Sequence, residues 1–362
     1  MPTHALITFT VSPSSLDLLN EQFGKVTYIP PSESNRLARI LEALETAQVF
    51  LVTSGDLKTL PSDGEALGKV GKELRVVQLG SAGADAALGT DWIQEMVKNG
   101  RMAKNEGDWR GRDPSGGNGD HQRMVALTNA SGIHVRSISQ WCLGTLLTVY
   151  HKLDKQIIHS KIDKTWATGK DFVPEGETYG VKTIHGKTIG LLGYGHIGRE
   201  TARLLQVFGV TIIAATSTGE ARQDAGYILP GTGDINGTIP EKYYSTSDRT
   251  VFKEFLERSE VLVCSVPSTS RTSGMIGREE LDSLLESLDR GHLFGAAMDV
   301  TSPEPLPDNH PLFAHPKAIV TPHLSGDVEN EMDEVVRMCV AGVKRWRKGD
   351  GLWGVVDVDK GY

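Results

Sequence analysis

Cysteine is scarce in this chain. Cys142, Cys264 and Cys339 are the only three in 362 residues, far apart and without a CxxC pair. So odd and sparse a set builds neither a disulfide frame nor a thiolate zinc site, and it fits a reducing compartment. Long apolar runs are missing too, and nothing approaches the about 18 uncharged residues that a membrane span needs. The opening "MPTHALITFTV" has no basic stretch ahead of an apolar core, so no signal peptide is expected and the cytoplasm is the predicted location. The "NAS" at 129–131 is therefore read as a chance sequon. Positive charge is also short: 38 Lys and Arg against 46 Asp and Glu leave a net charge of -8. That balance argues against a nucleic-acid partner, which would need a basic face. The one basic run, "KRWRK" at 344–348, reads as the solvated side of a final helix.

The length exceeds one typical core and suggests two domains of roughly 150 to 200 residues each. Apolar, β-branched runs of strand length occur at 4–11, 49–54 and 74–83, with a helical pattern over 33–47 between the first two. Residues 107–124, rich in Gly, Asp and Pro, read as loop, and 137–157 reads as one long helix. A second series starts at 187–198 and continues with strands at 210–216, 260–267, 293–300 and 318–324. Seven of the residues in 217–248 are Gly or Pro, which predicts an irregular surface loop. A last helix covers 334–349. Strands alternating with helices imply parallel sheets covered on both faces. The predicted fold class is α/β, a Rossmann-type doubly wound parallel sheet beside a second α/β domain. The predicted division is 1–127, 128–326, and a segment 327–362 returning to the first domain.

In "IGLLGYGHIGRETARLLQVFG", Gly193, Gly195 and Gly198 form GxGxxG between an apolar strand and an amphipathic helix. Such a loop permits a tight turn, a close backbone approach to a pyrophosphate, and tight helix–strand contact, with helix N–H groups facing the anion. The next strand ends in Thr216 and Ser217 with no carboxylate, and Arg222 follows. Hydroxyls there tolerate a 2′-phosphate, so NAD and NADP both stay open. Further on, Asp299 ends one strand, Glu304 lies in the loop after it, and His323 ends the next strand. A carboxylate beside an imidazole raises its pKa and fixes its tautomer, which suits an acid/base acting on a carbinol oxygen. His310, His315, Arg271 and Arg290 read as surface or turn residues.

The segments "LGSAGAD" (79–85), "TNASGIHV" (128–135), "LLGYGHIGRETARL" (191–204), "VPSTSRTSGMIG" (266–277), "GAAMDVTSPEPLPDNHPL" (295–312) and "TPHLSG" (321–326) together resemble the D-isomer-specific 2-hydroxyacid dehydrogenases. The resemblance implies a Rossmann domain, a flavodoxin-like substrate domain, and hydride transfer between NAD or NADP and a 2-keto or 2-hydroxy acid. It also implies a homodimer, with no metal and no membrane partner. It makes His323 the acid/base and Glu304 its partner. It puts Asp299 on the nicotinamide carboxamide, and Ser81, Ala82 and Gly83 on the substrate carboxylate. Gly193, Tyr194, Gly195, His196, Ile197, Gly198, Thr216, Ser217, Val266 and Pro267 would line the cofactor. Gln140 stands before Trp141 where the family has an acidic residue.

One part of the pattern is missing. Only eighteen residues, 277–294, separate Met275-Ile276 from Gly295, and the family's substrate-gripping arginine should lie within them. "REELDSLLESLDRG" instead joins the front of one helix to the back of the next. One α–β–loop unit has dropped out in frame. The sheet must then either close up, shifting the last strands by about 4.8 Å, or carry a slot. Three readings follow: a weakened dehydrogenase, a dinucleotide-binding regulatory protein without turnover, or a splice or gene-model variant of an active enzyme. A methyltransferase built on a similar glycine loop would have no use for a Glu304–His323 pair.

Overall fold

The computed structural model describes residues 3–63, 70, 72–110, 124–173, 180–267, 272 and 278–361, with backbone only at 110 and 278–283. The chain forms two compact units, Met1–Ile133 with Glu329–Tyr362, and His134–Val328.

The first unit is built on β1 (His4–Ile7), β2 (Lys25–Tyr28), β3 (Val49–Val52), β4 (Val76–Leu79) and β5 (Ala126–Thr128), all parallel in the order β2-β1-β3-β4-β5. This is the flavodoxin-like order. β1, β3 and β4 are buried along their whole length, as strands covered on both faces must be. The helix Glu331–Arg347 returns to this unit, where Arg347 donates to the carbonyl of Gln22 and Asp333 accepts from the N–H of Ser12 at 2.9 Å.

The second unit holds β6 (Thr188–Leu192), β7 (Thr211–Thr216), β8 (Lys242–Ser245) and β9 (Val261–Cys264), parallel in the order β8-β7-β6-β9. β10 (Ala296–Met298) and β11 (Ala318–Val320) pair with each other in a separate two-stranded sheet. Among the described residues no strand joins β9 to β10. The sheet has not closed over the missing unit. β6 and β7 are almost wholly buried, whereas β9 alternates between half-buried and exposed, with Leu262 41% exposed. Every residue of β10 and β11 is only half-buried. Interior parallel strands ordinarily lose their surface to neighbours on both edges, and among the described residues these have a neighbour on one edge.

The helix Arg278–Asp289 packs on β10 and β11, where Leu284, Leu285 and Leu288 meet Leu306, Leu312, Met298 and Val320. That cluster is distinct from those around β6 and β7. One helix, Val135–His151, bridges the break. Its Tyr150 lies in the β6 cluster and stacks edge-on against Phe294 at 5.5 Å, while Val149 abuts Gly295.

Two expectations need correction. The long helix over 137–157 is two helices, Val135–His151 and Leu153–Ile162, broken at Lys152, whose φ of 52° is left-handed. The insertion after β7 is irregular but is not a loose surface loop: Tyr227, Leu229, Thr232 and Asp234 are buried, and its end forms β8. Glycine and proline count could not show this, because the insertion is tied down by two charged side chains. Arg199 is buried and donates to the carbonyls of Tyr194 and Arg222, at 3.2 and 2.8 Å, and to that of Asp234. Asp234 accepts from the Tyr194 hydroxyl at 2.8 Å. Burial alone would raise the Asp234 pKa, but N–H donors of Ile239 and Thr238, the Tyr194 hydroxyl and the Arg199 charge hold it below the usual range. The loop expected at 107–124 begins as a helical turn, Glu106–Arg110, and 111–123 lie outside the described residues.

Candidate active site

The three loop glycines have different reasons to be glycine. Gly193 has a φ of 93°, and a Cβ there would lie 2.9 Å from the carbonyl oxygen of Ser265. A Cβ on Gly198 would come within 2.4 Å of the carbonyl oxygen of Gly193. The protein itself forbids side chains at both. Gly195 is unlike them. Its φ of -85° and ψ of -162° are open to any residue, and an added Cβ would meet no protein atom within 4 Å. Neither backbone strain nor packing explains this glycine, whereas a ligand lying against the backbone would. Gly195 caps the helix His196–Leu205, so the unbonded N–H groups of that helix's first turn open beside it.

The remaining loop residues are placed as follows. Tyr194 is buried, and Nε2 of His196 is buried without a hydrogen bond, 3.6 Å from Oδ1 of Asp224. Ile197 accepts from the Ser139 hydroxyl through its carbonyl. Ser265, at the end of β9, donates to the carbonyl of Gly193, and Val266 and Pro267 follow beside the loop. Thr216 and Ser217 end β7, which pairs with β6 through Leu192 and Ala215. The Thr216 hydroxyl accepts from the N–H of Gly219, and the Ser217 carbonyl accepts from the hydroxyls of Ser245 and Ser247. Arg222 is exposed.

At the ends of β10 and β11, Nδ1 of His323 lies 2.5 Å from Oε1 of Glu304. Both side chains are exposed, and a carboxylate at Nδ1 leaves Nε2 as the face that can exchange a proton. His323 has a left-handed φ of 55°, so its turn needs holding. Asp299 holds it. The buried carboxylate accepts from the Thr321 hydroxyl at 2.5 Å and from the N–H groups of Leu324 and Ser325 at 3.1 and 2.9 Å, while its backbone carbonyl accepts from the N–H of His323. Burial would raise this pKa, but the donors from Ser325, Thr321 and Leu324 outweigh it and hold the carboxylate below the usual range. The carboxylate that the resemblance directs to a nicotinamide is, in this structure, wound into the turn of His323.

The glycine loop and the His323 turn share one support. In the helix Val135–His151, Ser139 bonds Ile197 at the glycine loop, and Trp141, two residues on, donates through Nε1 to the Thr321 hydroxyl at 3.1 Å. Cys142 lies between the two parts. Burial pushes its thiol up to about 11, with Thr201 of the glycine-loop helix and Asp299 both acting on it. Sequence reasoning missed Trp141, Thr321 and His134 as supports, since only the bridging helix brings them to the site.

In the first unit, Ser81, Ala82 and Gly83 follow β4. The Ser81 hydroxyl donates to the Gly83 carbonyl at 2.7 Å, and among the described residues no acceptor is bonded to the N–H of Ala82 or Gly83. Their N–H groups are thus open to an acceptor. Arg290 is exposed and paired with Glu286, His315 meets Asp289, and His310 caps Leu312; Arg271 lies outside the described residues. No cluster of His, Cys, Asp and Glu that could hold a metal, and no helix long and apolar enough to cross a membrane, occurs among the described residues.

A parallel α/β unit whose glycine loop opens a helix at the edge of a strand defines a nucleotide-fold protein. The family described as "D-isomer specific 2-hydroxyacid dehydrogenase, NAD binding domain" matches residues 155–284 and 280–325. Residues 155–325 of the chain are thus similar to the dinucleotide domain of that family. The match comes in two pieces that meet at 280–284, inside the fused helix. Among curated relatives, a glyoxylate reductase of Thermofilum pendens is 28% identical over 227 residues, which cover 56% of this chain and 60% of that protein. A glyoxylate/hydroxypyruvate reductase A of Salmonella heidelberg is 28% identical over 195 residues, covering 48% of this chain and 56% of that protein. The chain thus matches less than two thirds of the length of these relatives. Among solved structures, an NADPH-dependent glyoxylate/hydroxypyruvate reductase of Sinorhizobium meliloti in complex with NADP and sulfate has a TM-score of 0.63 at 18% identity, covering 99% of this chain and 100% of that one. A family protein of Aeromonas salmonicida has a TM-score of 0.64 at 21% identity, covering 99% and 100%. These structures share the fold.

Proposed function

We propose that this protein is an NAD(P)-dependent oxidoreductase that moves hydride to and from a small 2-keto or 2-hydroxy acid, with turnover weakened by the missing unit. The observation that carries the reading is the His323–Glu304 pair, anchored by the same helix that flanks the glycine loop. Bound at that loop, a nicotinamide dinucleotide supplies the hydride. His323 gives or takes the proton on the substrate oxygen through Nε2, and Glu304 fixes its tautomer. The N–H groups at 81–83 hold a carboxylate. Residues 1–127 are proposed as the substrate domain, 128–326 as the dinucleotide domain, and 327–362 as the returning segment. The relatives' names point to glyoxylate and hydroxypyruvate as first substrates to try.

The broken sheet favours a second reading, a dinucleotide-binding regulatory protein without turnover. Loss of two charge-assisted bonds from an arginine, at ~1.5–3 kcal/mol each, costs about 10² to 10⁴ in rate. Following NADPH and NADH oxidation with glyoxylate, pyruvate and phenylglyoxylate separates the readings. Dinucleotide binding with no oxidation would reject the enzyme.

The glycines give a sharper test of the cofactor site. Gly195→Val weakens dinucleotide binding by about tenfold or more, while the melting temperature stays within a degree or so of wild type. Gly198→Val costs ~1–3 kcal/mol or more of stability through overpacking against Gly193. Titration calorimetry and thermal melts read both. Equal losses of stability would mean that Gly195 serves packing alone.

We also propose a homodimer, and a cytoplasmic location for it. The helix Leu153–Ile162 buries none of its residues; Ile158 and Ile162 on it are 55% and 71% exposed, and Trp166 beyond its end is 96% exposed. So large an apolar stripe ordinarily meets a partner. Ile158→Glu with Ile162→Glu should move the protein from dimer to monomer in sedimentation velocity. A wild-type monomer at micromolar concentration would end the proposal.

A further inference from the structure

We propose that His134 is a positioning residue of this site: its ring clamps the far end of the His323 turn at Gly326. The inference rests on the hydride-transfer reading. Nδ1 of His134 lies 3.2 Å from the carbonyl oxygen of Gly326, and a Cβ on Gly326 would come within 3.4 Å of that same nitrogen. Ring and glycine are in contact. His134 is also the first residue of the compact unit that ends at Val328, so the clamp joins the segment where the chain enters to the segment where it leaves. The turn between His323 and Gly326 is therefore held twice, by Asp299 from within and by His134 at its exit.

A carbonyl accepts, so Nδ1 of His134 carries the hydrogen. Three influences then oppose a second proton. Burial is the largest and lowers the pKa; the Gly326 bond partly offsets it, and a charged His323 lowers it again. As N-cap of Val135–His151, the ring also sits at the positive end of a helix. Near the two rings, Glu304 pairs with His323, Asp299 lies inside the turn, and the guanidinium of Arg136 is committed to the carbonyl of Pro230. The site thus holds one imidazole paired with a carboxylate and a second bonded to a carbonyl at a helix start.

The test is a nitrogen-15 NMR titration of the ring resonances, which needs no turnover, together with pH–rate profiles. Wild-type His134 should show the Nδ1–H tautomer and a midpoint below that of an ordinary histidine. His323→Gln should raise that midpoint, since the neighbouring charge is gone. His134→Ala should lower kcat with glyoxylate about tenfold, with dinucleotide affinity within about twofold. His134→Gln, whose amide can still donate to Gly326, should recover most of the loss. The proposal fails if His323→Gln leaves the His134 midpoint unmoved, or if Ala and Gln variants are equally slow. If wild type turns nothing over, the hydride-transfer reading fails by itself, and the NMR arm still decides whether the two rings are coupled.

Discussion

His323→Gln lowers kcat/KM for NADPH-dependent keto-acid reduction by about 10² to 10⁴, the range that a positioned general acid contributes. Dinucleotide affinity should stay within about twofold, because the substituted side chain pairs with Glu304 at the ends of β10 and β11. Glu304→Gln acts in the same direction but less. An amide still meets Nδ1 but no longer presents a carboxylate to it, so the rate falls about tenfold to a hundredfold. Stopped-flow or steady-state absorbance at 340 nm across pH 5 to 9 reads both variants. Rates equal to wild type in His323→Gln would dismiss the acid/base role.

The predicted site was legible because its parts are local. A glycine loop between a strand and a helix, and a His and a Glu after consecutive strands, announce themselves at short range, and the structure pairs Glu304 with His323. What holds them is long-range. Trp141 reaches Thr321 across 180 positions, and His134 reaches Gly326 across 192, contacts that no periodicity encodes. The insertion after β7 misled for a related reason: glycines and prolines set its backbone, but Arg199 and Asp234 decide that it is buried. Lys152 broke a helix whose apolar spacing ran on unchanged, because a left-handed residue leaves no mark in a hydrophobic pattern. The missing unit was readable as a length, 277–294, but whether the sheet would close depends on packing. The bridging helix decides it by gripping both sheets, through Tyr150 and Ser139 on one side and Val149 and Trp141 on the other.

That arrangement has a large consequence for local stability. β10 and β11 share only a single ladder, with a core of Leu288, Leu306 and Leu312, whereas β6 and β7 sit inside a four-stranded sheet with clusters on both faces. An inserted strand would have tied the two sheets together by hydrogen bonds on both its edges. Without it, the pair and its helix can open while the larger sheet stays folded, restrained chiefly by the bridging helix. Native-state hydrogen exchange should therefore show the β10 and β11 amides opening together, about 10² to 10³ times faster than those of β6 and β7, a difference of about 3–4 kcal/mol. The opening should carry His323 with it, since Asp299 and Thr321 belong to these two strand ends. Trp141→Phe, which removes the donor to Thr321, should widen the gap by about a further fivefold, through the ~1 kcal/mol of one lost hydrogen bond. Mass-spectrometric exchange in the regime where opening is at equilibrium makes the comparison. Uniform protection across all six strands would mean that the break in the sheet carries no energetic weight, and the argument that it weakens catalysis by loosening the His323 turn would fall with it.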